Sequence, residues 1–298
     1  MHDLEDDAEL AHWRTRLARW RRFAPLVGFV LLAGAVVLVA TGDTLGRALW
    51  ALRHAPLTTV GLLLMSVLLS VGLTGSVFWV LTRRYGQVPF GEMQALMAST
   101  TLANYLPLRP GLFARLAYHK TRHRIRARDG LRTVFEAIGL SALSLALAIP
   151  ALAIGVKLEL PLGVVLTAPA LLGVVGLAWQ RTRLLSVAWL LRYAETLLTA
   201  LRYHLAFGLA GTPVPAETSV AIACVSMAAS LVPFVSNGIG LREWAIGLLA
   251  PVLTGYAVEQ GIVAELVNRA AEIAIVIPTG LIGAAVLWRS SRQPMTDC

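Results

Sequence analysis

Cysteine and lysine are nearly absent from this 298-residue chain, and charge of either sign is scarce. The two cysteines, Cys224 inside an apolar segment and Cys298 at the end, suggest no disulfide framework. Only 14% of residues are charged, against roughly a quarter in a soluble domain, which excludes an ordinary water-soluble fold. There is no G-x-x-x-x-G-K-[ST] loop and no H-E-x-x-H, so the commonest nucleotide and zinc-protease sites are missing. No Ser-His-Asp set assembles on usable spacing. His119 and His123 stand four apart, as metal ligands could, but in a crowded positive loop that repels a metal cation. No enzymatic activity, metal or cofactor is expected.

What is present is apolar, with 57% hydrophobic residues. Runs of about 20 apolar residues, enough to cross a bilayer, recur along the chain. The reading is an all-α polytopic membrane protein. Full spans are expected at about 23–41, 57–81, 131–155, 160–178, 184–210 and 263–288. Two more apolar segments, 88–105 and 218–234, each lead into a polar motif and then a short helix, near 112–121 and 241–254.

The net charge of +9 comes from 24 arginines and 2 lysines. They lie between spans, where they orient a membrane protein and meet anionic lipid, so nucleic acid is not an expected partner. Arg14, Arg16, Arg19, Arg21 and Arg22 put the N-terminus in the cytoplasm. Trp13, Leu17 and Trp20 at i, i+4, i+7 fit a helix lying on the inner leaflet; a plain basic flank orienting the first span fits equally well. The first apolar run is long enough to remain as an anchor instead of a cleaved signal.

Arginine placement also tests which segments cross. Arg83 and Arg84 fall inside after two crossings, and the basic stretch from Arg109 to Arg132 must be inside as well. Segment 88–105 therefore enters and returns. Segment 218–234 does the same from the opposite side, since Arg181 and Arg183 precede it inside and Arg289 and Arg292 follow the last span. The expected architecture is about six full spans plus two re-entrant hairpins in an inverted-topology repeat, a recurrent transporter design. Its parts are a cytoplasmic or interfacial segment 1–22, halves 23–157 and 158–290, and a cytoplasmic tail 291–298. If both segments cross fully instead, one basic loop falls on the wrong side.

The motifs at the hairpin tips carry the chemistry. The first runs from Asn104 through Pro107, Arg109 and Gly111 to Arg115; the second contains Pro233, Asn237, Gly238, Gly240, Arg242 and Glu243. A glycine turn opening a helix exposes backbone N–H groups and the positive dipole end to an anion. Ordinary turns at a membrane surface are the plainer alternative. In the last span, Glu265, Asn268, Arg269 and Glu272 share one helix side at offsets 0, 3, 4 and 7. Ionisable groups there line a wet cavity or lock helices together as ion pairs. Arg192, Glu195 and Arg202 form a third stripe, His204 points elsewhere, and Arg132 with Glu136 reads as a local salt bridge.

The two motifs in this order resemble the flippase-like transmembrane domain of lysylphosphatidylglycerol synthases, over residues 20–290. The first resembles that family's Asn-x-x-Pro-x-x-x-Gly-x-x-x-Arg through Asn104, Pro107, Gly111 and Arg115. The second resembles its Pro-x-x-x-Gly-Gly-x-Gly-x-Arg-Glu through Pro233, Gly238, Gly240, Arg242 and Glu243, with Asn237 in place of the first of the paired glycines. Arg269 matches an arginine the family often carries in its final span. No aminoacyl-transfer domain follows the last span, so lipid aminoacylation is not expected. The resemblance implies movement of an anionic or glycosylated lipid between leaflets of the inner membrane, powered by an ion gradient, by proton binding to an acid, or by neither. Two other roles stay open: a non-transporting accessory of envelope-biosynthesis enzymes, and an intramembrane enzyme on a lipid-linked substrate.

Overall fold

The computed structural model describes residues 27–41, 46, 50–51, 53–106, 110–231 and 238–292. The expected N-terminal interfacial segment, the tail from 293, and Pro107, Arg109, Pro233 and Asn237 lie outside the described residues. Among those described there is no strand, and every regular element is a helix.

Proline precedes four of them. Pro56, Pro89, Pro161 and Pro215 hold φ of −59°, −56°, −56° and −60° just ahead of four helices, where their missing N–H is harmless and their fixed φ suits helix entry. In chain order the helices are α1 Val27–Thr41, α2 Leu57–Thr82, α3 Phe90–Ala103, α4 Pro110–Arg122, α5 Ala127–Lys157, α6 Leu162–Gly176, α7 Arg183–Leu209, α8 Ala216–Ser230, α9 Leu241–Thr254 and α10 Val258–Arg292.

Among the described residues four helices, α2, α5, α7 and α10, are long and apolar enough to cross a membrane, consistent with a helical membrane protein. The two segments expected to turn back are short. Helices α3, α4, α8 and α9 have 14, 13, 15 and 14 residues. At about 1.5 Å per residue they fall well short of the roughly 30 Å hydrocarbon core. One expected full span is short: α6 has only 15 residues, ends at Gly176, and is not among the helices long enough to cross. The Thr182 hydroxyl, 2.7 Å from the Gly176 carbonyl, takes up an acceptor that the next helical turn would have used.

Helix α2 packs most extensively on α7, and α3 on α10. The order of contacts repeats. Pairs α2–α3, α3–α4 and α4–α5 recur as α7–α8, α8–α9 and α9–α10; α2–α5 recurs as α7–α10; and α3–α10 and α2–α10 recur as α5–α8 and α5–α7. Close approach needs glycine at two of these contacts. A Cβ on Gly283 would lie 2.5 Å from the Ala95 carbonyl oxygen, where α10 meets α3, and one on Gly111 would lie 2.0 Å from that of Thr100, where α4 folds onto α3. Between α5 and α6, at the expected junction of the halves, Glu159 takes φ +53° in a two-residue turn.

Gly283→Leu is expected to wedge α10 off α3 and lower stability by about 1–3 kcal/mol, seen as a lower melting temperature of the detergent-solubilised protein. Gly163→Ala, where a methyl group would meet open space, should leave that temperature unchanged or higher.

Candidate functional site

The centre of the molecule is an ion network of three arginines and three glutamates. Helix α9 opens at Gly240, whose φ of +79° suits glycine, and this turn delivers Arg242 and Glu243 directly into the protein. Gly240 also lies against α1, where a Cβ would sit 2.4 Å from the Gly28 carbonyl oxygen; Trp244 then donates its indole N–H to the Leu31 carbonyl at 2.8 Å. Opposite, α10 presents Glu265, Asn268, Arg269 and Glu272, all buried, and α7 contributes Arg202 and Tyr203.

Glu272 is the hub. Its Oε1 lies 2.9 Å from Arg202 Nη2 and 3.1 Å from Arg242 Nη2, while its Oε2 lies 3.2 Å from Arg242 Nη1 and 3.5 Å from Arg269 Nη1. Glu243, fully buried, binds Arg269 through Oε1 at 3.0 Å and 3.1 Å. Arg242 Nη2 is 2.9 Å from Glu265 Oε1, an ion pair by distance without the alignment of a hydrogen bond. Glu265 Oε2 is instead bonded at 2.5 Å by the Tyr203 hydroxyl, which also lies 2.6 Å from Ser226 Oγ on α8 and accepts from Arg242 at 3.0 Å. Asn268 Nδ2 completes this carboxylate's partners at 3.2 Å.

Among the described residues, the first motif reaches the same hub through one side chain. The Tyr105 hydroxyl donates to Glu272 Oε2 at 3.4 Å, joining the end of α3 to α10. Asn104 and Gly111 close the α3–α4 turn, the Asn104 Oδ1 being buried without a hydrogen-bond partner among the described residues. Arg115 does not join the network. It is buried with its Nη1 3.2 Å from Met97 Sδ and its guanidinium 3.9 Å over the Phe78 ring. Among the described residues it has no carboxylate within ion-pair distance.

Arg242 of the second motif and Arg269 of the last span sit, among the described residues, within a network holding as many glutamates as arginines, the ion-paired alternative for that helix face. The stripe on α7 divides: Arg192 pairs with Glu195 at 2.5 Å, with Thr74 bound to the same carboxylate, while Arg202 alone reaches the hub. Glu136 lies 3.1 Å from Arg84, in the turn after α2, and 3.9 Å from Arg132, so its closer partner lies outside its own helix. His204 is exposed. Sequence reasoning passed over Tyr203, Tyr105 and Ser226; a tyrosine in mid-span, whose hydroxyl needs a partner in an apolar setting, was the available signal. A cavity of about 360 Å³ bordered by Trp50, Ala51, Ala210, Gly211, Thr212 and Gln260 contains none of the expected site residues. Among the described residues no cluster of metal ligands occurs.

No family model matches the chain, and no curated protein or solved structure does either.

Removing the hub leaves buried arginines with too few anions. Glu272→Ala is expected to destabilise the protein by about 3–5 kcal/mol, whereas Arg132→Ala, on an exposed side chain, should change stability by less than about 0.5 kcal/mol. Parallel melting curves in detergent would decide between them.

Proposed function

We propose that this protein moves an anionic or glycosylated lipid between the leaflets of the inner membrane, its headgroup drawn in at Arg115. The observation that carries this reading is a buried guanidinium with no counter-ion among the described residues. Such a charge in an apolar setting costs several kcal/mol unless an anion meets it. A lipid phosphate is the anion most available inside a membrane protein.

The arrangement of helices supports an alternating mechanism. The half-length pairs α3–α4 and α8–α9, and the recurrence of contacts between α2–α5 and α7–α10, fit two inverted repeats with re-entrant hairpins entering from opposite sides. In that reading α1 and the 15-residue α6 stand where the other two spans were expected, α6 as a short one, and both termini are cytoplasmic. The Glu272 network ties α7, α9 and α10 of the second half together and meets the tip of the first hairpin through Tyr105, so rocking one half against the other breaks or remakes that contact while the ion pairs move as one body. The motif resemblance to the flippase-like domain points the same way.

A second reading also has an observation in its favour. The equal count of arginines and glutamates around Glu272 suits a static bolt, as in an accessory subunit that holds envelope-biosynthesis enzymes without moving lipid.

The test is leaflet exchange of a fluorescent anionic lipid in vesicles containing the purified chain. Wild type should exchange the lipid, and Arg115→Ala should retain less than about a tenth of the rate, a change of about 1.4 kcal/mol in barrier, with its melting temperature preserved. Arg242→Ala should be inactive and less stable. No exchange by the wild type, together with a stoichiometric partner on purification, would favour the accessory role.

A further inference from the structure

The headgroup reading leaves open which kind of phosphate Arg115 meets. His119 lies four residues further along α4, on the same side of the helix, and is 4% exposed. Its Nδ1 is buried with no hydrogen-bond partner among the described residues. The acid nearby is already engaged. Glu92, at the start of α3, accepts from the Tyr118 hydroxyl, lies 3.1 Å from His123 Nε2, and lies 4.0 Å from Arg122 Nε. Arg122 in turn donates to the Ser290 carbonyl at 3.1 Å. Arg115 and His119 are therefore two buried groups one helical turn apart: a cation without a carboxylate, and an imidazole with an unmatched nitrogen.

We propose that Arg115 and His119 together hold a phosphomonoester dianion, an inference that rests on the headgroup reading above. Arg115 supplies one positive charge, and His119 with one added proton supplies a second. A dianion is then neutralised in a buried site, where leftover charge is costly. A phosphodiester, with one negative charge, either leaves a cation in excess or goes without the proton. The second ionisation of a phosphomonoester lies near pH ~6, so the ligand itself can bring the proton that is shared along the hydrogen bond between Nδ1 and a phosphate oxygen. No covalent bond is made or broken.

The experiment titrates the purified full chain in detergent with short-chain phosphatidic acid, short-chain phosphatidylglycerol and inorganic phosphate. Phosphatidic acid is expected to bind about tenfold more tightly than phosphatidylglycerol, the scale of one charge-assisted hydrogen bond. His119→Asn keeps an amide N–H near the Nδ1 position but accepts no proton. It should weaken phosphatidic acid about tenfold more than phosphatidylglycerol, erasing the preference; His119→Gln is the substitute should that variant not fold. Inorganic phosphate binding as tightly as phosphatidic acid would uphold the dianion chemistry and make free phosphate its source. Equal wild-type affinity for the two lipids, or a preference that survives in both histidine variants, would overturn the monoester assignment and leave the headgroup reading standing. Failure of all three ligands to bind would remove the headgroup reading itself, and this inference with it.

Discussion

A guanidinium buried among apolar helices must find an anion, and Glu272 meets that need for three arginines at once. Each comes from a different stretch of chain: Arg202 from the last third of α7, Arg242 from the first turn of α9, and Arg269 from one turn earlier on α10 itself. Glu243 and Glu265 then bring the negative charge to parity. A carboxylate with so many donors is difficult to detach singly, because freeing any arginine leaves it desolvated and unmatched. The positions of α7, α9 and α10 are accordingly bound together by charge as well as by packing.

The short helices depend on that binding. A 14-residue helix cannot reach across hydrocarbon, and its broken backbone ends are tolerable only when protein surrounds them. At the start of α9, Gly240 meets α1 and Arg242 meets the hub, so both sides of the break are enclosed. At the end of α3, the Tyr105 hydroxyl bonds the hub and Gly111 seats α4 against Thr100. Gly111 and Gly240 seat the chain at these two places, and the ion network lies beside both.

Much of this was legible from residue order. The apolar segments, the short helices after the motifs and the stripe on α10 fell within a few residues of the observed elements. Proline marks starts, hydropathy marks length, and the offsets of Glu265, Asn268, Arg269 and Glu272 mark one face. Periodicity describes one helix at a time, however, and the site is made between helices. It grouped Arg202 with Arg192 and Glu195, which share its stripe, while the carboxylate that binds it lies on α10. It gave no reason to pick Tyr203, whose hydroxyl meets Glu265, Ser226 and Arg242 together. The end of α6 escaped hydropathy for a similar reason: Thr182, beyond the apolar run, bonds back to Gly176.

The two motifs look alike in sequence, yet their arginines meet different surroundings. Arg242 enters a network already supplied with acid, whereas Arg115 lies between a thioether and an aromatic ring. A ring face and a sulfur offset only a small part of the cost of burying a cation, about 1–2 kcal/mol at most for the ring. The shortfall is a standing attraction for an anion at one motif, with no counterpart at the other. Two halves that repeat in contact order but differ in charge compensation are not energetically interchangeable. In the proposed function, an anion at Arg115 shifts an equilibrium between two arrangements only by interacting differently with them, and the uncompensated Arg115, unlike the neutralised Arg242, is the group through which it would do so.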